Sequence, residues 1–196
     1  MRTAKIENVM NEIAGVKKGK PMTFDEADTG KVNPHYVPHT ATADNCQSCI
    51  PAFKARLDGF DVQAKAFDES NEIMVELSEN TSLAWIDKTT GSLPEYIKPN
   101  ERYVPSLIDW FLNNLVEGDY YSIEFYRKHV AYGHVMIIFR KNAGIVLYDP
   151  QSDEKLSGKK FELLLYTIRT KTVKLLNIST CFLNKAVVDF VLEERK

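Results

Sequence analysis

The sequence predicts an α+β chain, with helices mostly early and an antiparallel sheet mostly late. Three observations carry this. Ile50, Phe53 and Leu57 form an apolar stripe at helical spacing, and Leu107, Ile108, Phe111, Leu112 and Leu115 form a second. Two alternating segments, His134 to Arg140 and Ile145 to Tyr148, are joined by Lys141-Asn142-Ala143-Gly144 and read as a β-hairpin.

Taken in order, Ile6, Val9, Met10 and Ile13 recur on one helical face and predict a short amphipathic helix ending near Gly15. From Gly19 to Thr42 the residues Pro21, Gly30, Pro34 and Pro38 interrupt both periods, so an extended arm is expected there. His35 and His39 lie on that arm and are set aside as metal or catalytic residues. The Ile50 stripe is stopped by Gly59, a residue suited to closing a helix, and Asp61 to Ala64 reads as a short strand or extended exit. Between 68 and 92 the reading stays open, because Ile73, Val75 and Leu77 alternate like a strand while Asn80 to Thr90 carry mostly turn chemistry.

The run Pro105 to Val116 predicts a helix with Pro105 in its first turn and Gly118 beyond its end. Tyr120 to Tyr126 alternates as a strand ahead of the hairpin. Phe161 to Ile168 then reads as a helix, Val173 to Ile178 as a strand, and Lys185 to Glu194 as a terminal helix with Val187, Val188 and Val191 inward. Neither repeats nor low-complexity tracts occur.

Composition narrows the function classes. With 44% hydrophobic and 27% charged residues among 196, the chain has the make-up of an ordinary folded protein. A net charge of -2 gives no general footprint for nucleic acid, and the one basic run, Lys17-Lys18-Gly19-Lys20, reads as a solvated loop. Met1 to Lys5 lack the apolar segment of a signal peptide, and no stretch approaches the roughly 18 apolar residues of a membrane span. The expectation is therefore a chain made and folded in a reducing cytoplasm, with no membrane partner. Three cysteines are too few and too odd in number for a disulfide scaffold, and no metal or other cofactor is called for; a reactive thiol is the question they raise.

That question centres on Ala43 to Phe53, where a polar approach meets Cys46 and Cys49. A thiol becomes a good nucleophile at a helix N-terminus or beside an imidazolium, because both favour the thiolate. If Asp44 or Asn45 caps the helix, Cys46 takes its open end and Cys49 lies one turn deeper. Pro51 then falls beyond the first turn and removes a helical hydrogen bond. If Ser48 is the cap, Pro51 is relieved and Cys49 takes the open end. Local chemistry leaves both starts standing.

The hairpin supplies the partners. A loop of two or four residues pairs Lys141 with Gly144 and Arg140 with Ile145, which sets Asp149 opposite Met136 and Gln151 opposite His134. His134, Met136, Asp149 and Gln151 then share one face, with Asp149 diagonal to His134 and within its reach. In this register a cysteine attacks a carbonyl carbon, His134 carries the proton, and Asp149 orients the imidazole. Helix-terminal N–H groups serve as oxyanion donors, and Gln151 adds a donor or holds His134. Taken singly, His134 reads as a hydrogen-bonded strand residue, Asp149-Pro150 as a turn initiator, and the cysteine pair as core packing; a thioredoxin-like motif is disfavoured, since a Pro-rich arm and not a strand precedes it.

Taken jointly, Asn45-Cys46-Gln47-Ser48-Cys49, the helix end Arg56-Leu57-Asp58-Gly59-Phe60-Asp61-Val62-Gln63-Ala64, Gly133-His134 and Tyr148-Asp149-Pro150-Gln151 resemble the papain-fold toxin family. Its members look like glutamine deamidases of bacterial polymorphic toxins, secreted effectors and phage head-associated proteins; Asn33-Pro34-His35-Tyr36 resembles the approach segment of the phage-borne ones. The similarity covers roughly residues 30 to 152. It implies a papain-like fold, N-terminal helices on an antiparallel sheet, with a helix and arm over 1–30 and the catalytic domain over 31–196. By position it implies Cys46, His134 and Asp149 as catalytic residues, with Asn45 and Gln151 as substrate or oxyanion contacts. Cys49 stays open, since Cys-x-x-Cys also resembles papain, whose second cysteine is the nucleophile.

The implied activity is deamidation of glutamine side chains in a target protein, with proteolysis or acyl transfer as alternatives on the same machinery and a non-catalytic binding module as a third. Implied partners are the protein substrate, a neutralising immunity protein and phage structural proteins. Delivery into a target cell or packaging with a phage particle are the implied destinations.

Overall fold

A computed structural model of the protein describes residues 10–27 and 29–196, which divide into two compact units. The first comprises 10–94, 150–153 and 180–196, and the second 95–149 and 154–179. Among the described residues no helix is long and apolar enough to cross a membrane.

In the first unit, Glu12–Ile13 (β1) and Val16–Lys17 (β2) form a small hairpin, followed by the one-turn helix Phe24–Ala27 (α1). Cys46–Leu57 (α2) is the central helix, and Val62–Ala64 (β3), Glu72–Glu79 (α3) and Trp85–Asp87 (β4) follow it. The expected N-terminal helix lies partly outside the described residues, and within them Ala14 and Gly15 both have positive φ. Two consecutive left-handed residues make a hairpin turn and end any helical run.

The helix α2 is buried on nearly every side: Ile50, Ala52, Phe53 and Ala55 are enclosed, and so are Lys54 and Arg56. Phe24 of α1 meets Phe53 edge to face at 5.1 Å. Arg56 gains burial by spending its guanidinium on Ala27 O, Glu26 O, Val62 O and the Asp61 carboxylate. Those bonds hold the arm that carries α1 against α2. Thr23 and Glu26 cap α1 reciprocally, a Thr-x-x-Glu box inside the otherwise irregular arm.

The ambiguous stretch resolves as helix. Asn71 Oδ1 accepts from the Ile73 and Met74 N–H groups, which caps α3, and Met74 and Leu77 are its buried pair. Their three-residue spacing outweighs the apparent alternation of Ile73, Val75 and Leu77.

In the second unit, Val104–Asn114 (α4) precedes Tyr120–Tyr126 (β5), Gly133–Lys141 (β6), Gly144–Asp149 (β7), Glu154–Ser157 (β8), Gly158–Leu165 (α5) and Lys174–Asn177 (β9). The strands form one antiparallel sheet in the order β8-β7-β6-β5-β9. Leu107 and Phe111 of α4 and Phe161 and Leu165 of α5 close one face of it over Ile123, Phe125, Met136, Ile138 and Leu147. Each such side chain stabilises the fold by about 1.5–3 kcal/mol on burial.

The β6–β7 register is the expected one, with Arg140 opposite Ile145 and Ile137 opposite Tyr148. Asn142 and Ala143 form the two-residue loop, both at positive φ as a type I′ turn requires.

The chain ends back in the first unit, through Cys181–Leu183 (β10), Lys185–Val191 (α6) and Leu192–Glu194 (β11). β10 pairs with β4 and β11 with β3. The terminal helix is thus three residues shorter than expected, because Leu192 to Glu194 exchange helical bonds for a ladder with Val62 to Ala64.

Candidate active site

The helix start is settled by packing. α2 begins at Cys46 with Asn45 at the cap position, and the N–H groups of Ser48 and Cys49 both donate to Asn45 O, at 2.9 and 3.1 Å. Pro51 sits inside the helix, where a missing hydrogen bond costs about 3 kcal/mol. Burial around the rest of α2 outweighs that cost, so Pro51 does not displace the start.

The two cysteines consequently differ. Cys46 is partly exposed in the first turn, and its Sγ lies 3.6 Å from Gln47 Oε1. Cys49, one turn deeper, is fully enclosed, and its thiol donates to Asn45 Oδ1 at 3.4 Å. Cys181 is buried as well, and burial pushes its thiol up to about 11, with the Asp87 carboxylate adding to the effect. Of the three thiols, Cys46 alone is partly exposed.

Asn45 lies under the helix start rather than at its surface. Its Oδ1 accepts from Gln151 Nε2 at 3.2 Å and from Asn33 Nδ2 at 3.4 Å, and its Nδ2 donates to Lys65 O at 2.9 Å. Asn33 also donates to Thr42 O and Gln151 O. Asn33, Asn45 and Gln151 are all buried, so these amides serve as a buried polar brace within the first unit. The family resemblance implies substrate or oxyanion contact for Asn45 and Gln151, with holding His134 as the alternative for Gln151. Their side-chain amides are already engaged with one another. Asn33 carries no signal of this role in the sequence, since an irregular arm offers no period from which a buried amide can be found. His35 and His39 are exposed on the same arm.

In the second unit, His134 stands near the start of β6 and Asp149 at the end of β7. Continuing the observed register by one step sets Asp149 opposite Met136 and diagonal to His134. The predicted reach is realised: His134 Nε2 and Asp149 Oδ2 are 2.8 Å apart, with the side chains 18% and 11% exposed. Phe125, opposite His134 on β5, meets the imidazole edge to face at 6.1 Å and limits its tilt.

The partly open cysteine in the first turn of a buried helix belongs to the first unit, and the histidine–aspartate pair across an antiparallel sheet belongs to the second. Residues 44–154 match the family model described as papain fold toxin 1, glutamine deamidase, and the chain belongs to that family. A search of curated proteins found no match.

Proposed function

We propose that this protein deamidates glutamine side chains of a target protein, with Cys46 as nucleophile, His134 as acid–base and Asp149 as its orienting partner. The observation that carries the reading is the His134–Asp149 pair, set by strand register within the span matched by the deamidase family. With Nε2 held by Asp149, the thiol proton passes to His134 Nδ1. Asp149 keeps the ring in that tautomer and stabilises its cationic form.

The Cys46 thiolate attacks the carboxamide carbon, and the oxyanion takes hydrogen bonds at the start of α2. Because the Ser48 and Cys49 N–H groups are committed to Asn45 O, that task falls to the N–H groups of Cys46 and Gln47. The His134 imidazolium protonates the departing nitrogen, ammonia leaves, and a thioester remains. Water, deprotonated by His134, then hydrolyses the thioester, releasing glutamate and restoring the thiol. Action after delivery into another cell, and an immunity protein guarding the producer, belong to the same proposal.

The test is mass spectrometry of candidate target proteins incubated with the wild type, Cys46→Ala and Cys49→Ala. The expected result is conversion of one glutamine to glutamate by the wild type and by Cys49→Ala, with none by Cys46→Ala. Backbone cleavage in place of that conversion would assign a protease, and activity retained by Cys46→Ala but lost in Cys49→Ala would move the nucleophile.

A further inference from the structure

In the second unit, the end of the sheet that carries His134 is built from three segments tied edge to edge. The Arg169 N–H donates to Tyr126 O and the Lys128 N–H to Thr167 O, at 2.8 and 2.7 Å, so the residues after β5 run antiparallel to those after α5. Lys128 Nζ donates to Tyr166 O and Arg169 Nη2 to Val130 O, which folds the β5–β6 loop onto the same edge. Thr170 Oγ1 donates to Arg102 O and brings the stretch before α4 alongside. The loop, residues 127–132, leads directly into Gly133 and His134 of β6.

The charge of this edge runs against that of the chain. Residues 126–134 and 166–173 hold four Lys or Arg and no Asp or Glu, and Arg102 adds a fifth cation, whereas the whole sequence carries -2. The flanking carboxylates are Glu101, Glu124 and Glu162, and Glu124 is paired with Lys174 at 2.8 Å. All five cations are exposed. Lys128 and Arg169 hold backbone carbonyls, which leave their charge unbalanced. Among the described residues, the side chains of Arg102, Arg127 and Lys171 have no hydrogen-bond or ion-pair partner. Tyr132, 78% exposed, and the less exposed Tyr126 and Tyr166 stand among these cations. Such a cluster repels itself through solvent, and an acidic partner relieves the repulsion.

We infer that this edge is the docking surface for an acidic segment of the target protein, which brings its glutamine to His134. The inference rests on the deamidation reading and names the substrate class for it: a glutamine neighboured in its own chain by Asp or Glu. Tyr132 is two positions from His134, about 7 Å of extended chain, so the charged edge lies within a few residues' reach of the acid–base group. Arginine takes a carboxylate through two parallel hydrogen bonds, and three of the five cations are arginines. Tyrosine adds ring area and a hydroxyl, the combination that recurs in protein–protein interfaces. A nucleic acid or a lipid headgroup would also meet the charge. The continuity of the edge with His134 favours the partner that bears the glutamine.

The experiment is fluorescence anisotropy of the full chain carrying Cys46→Ala, with labelled peptides in which one glutamine is flanked by glutamates, by serines or by lysines. It is repeated after adding Arg127→Glu or Lys171→Glu. Neither side chain bonds to the rest of the fold, so these variants keep it, and their melting curves verify it. The expected result is that the glutamate-flanked peptide binds about tenfold more tightly than the serine-flanked one, and the lysine-flanked peptide most weakly. Each charge reversal should weaken the acidic peptide about fivefold, and added salt should narrow the preference. Equal binding of the three peptides, or a preference undiminished in both variants, would overturn the inference. Tighter binding of an oligonucleotide or of phosphatidylserine vesicles than of the acidic peptide would overturn it as well. Binding is read here without turnover. Absence of deamidation in the mass-spectrometric test would therefore leave the acidic preference standing, whereas deamidation there with equal binding here would remove the docking surface alone.

Discussion

The two parts of the proposed catalytic equipment are made in opposite ways. His134 and Asp149 belong to a regular sheet, where a two-residue type I′ turn sets the register and the register sets the pair. Cys46 belongs to a helix start held from below by three amides drawn from an irregular arm, a cap position and the segment after β7. A periodic ladder propagates one local choice along the strand, so an error in it would have moved both residues to opposite faces. A brace of amides has no period, and each member is held by its own contacts. The His134–Asp149 pair should therefore be robust to distant changes but sensitive to its own chemistry, while the cysteine helix should be sensitive to any one of its supports.

The largest effect should come from within the pair. Asp149→Asn should lower kcat for deamidation by on the order of 10⁴-fold with little change in melting temperature, since it leaves shape intact and offers the imidazole the wrong tautomer. A loss below about tenfold would show that the sheet pair does not serve the reaction.

Next comes the brace. Asn45→Ala removes the acceptor of Cys49, Gln151 and Asn33 at once, and should destabilise the protein by about 2–3 kcal/mol in urea unfolding. If it costs less than Asp149→Asn does in the same assay, the contrast between the two halves fails.

A third test uses pH. The Asp61 carboxyl is held below its ordinary range by hydrogen bonds from Arg195 and then Arg56. A carboxyl with a depressed folded value contributes stability above its unfolded value, near 3.9, and that contribution disappears as pH falls through the folded value. Asp61→Asn should thus cost about 1 kcal/mol at pH 7, a modest figure because Asp61 is half exposed, and the gap to wild type should close below about pH 4. A gap independent of pH would assign the cost to packing.

The smallest effect lies at the hairpin turn. Ala143 holds a left-handed conformation at φ 59°, which glycine adopts without strain, so Ala143→Gly should raise stability by about 0.5–1 kcal/mol without altering activity. A loss of activity here would mean that the register itself had shifted.

Particular elements show where sequence reading reached and where it stopped. The helix α4 and the β5–β6–β7 meander were legible because one side of each faces a single apolar core, which imposes a clean period. The stretch with Ile73, Val75 and Leu77 stays open in the sequence because the deciding signal is polar, the Asn71 cap. The last three residues of the expected terminal helix went to a ladder with β3, a partner some 130 positions earlier that no local window contains. The brace residue Asn33 was quoted only as part of a motif, and its buried bonds to Asn45 and Gln151 are long-range.

By itself the sequence determined the α+β class, the central helices and the register that joins His134 to Asp149, since periodicity and turn chemistry act over a few residues. Which cysteine opens to solvent was a different kind of question. Pro51 argued locally for a later helix start, at about 3 kcal/mol. Only burial of α2 on nearly all sides, together with the Asn45 brace beneath it, outweighed that preference and left Cys46 at the surface with Cys49 enclosed. Tertiary packing decided it because the competing terms are similar in size, and the larger one is summed over contacts from segments distant in the chain.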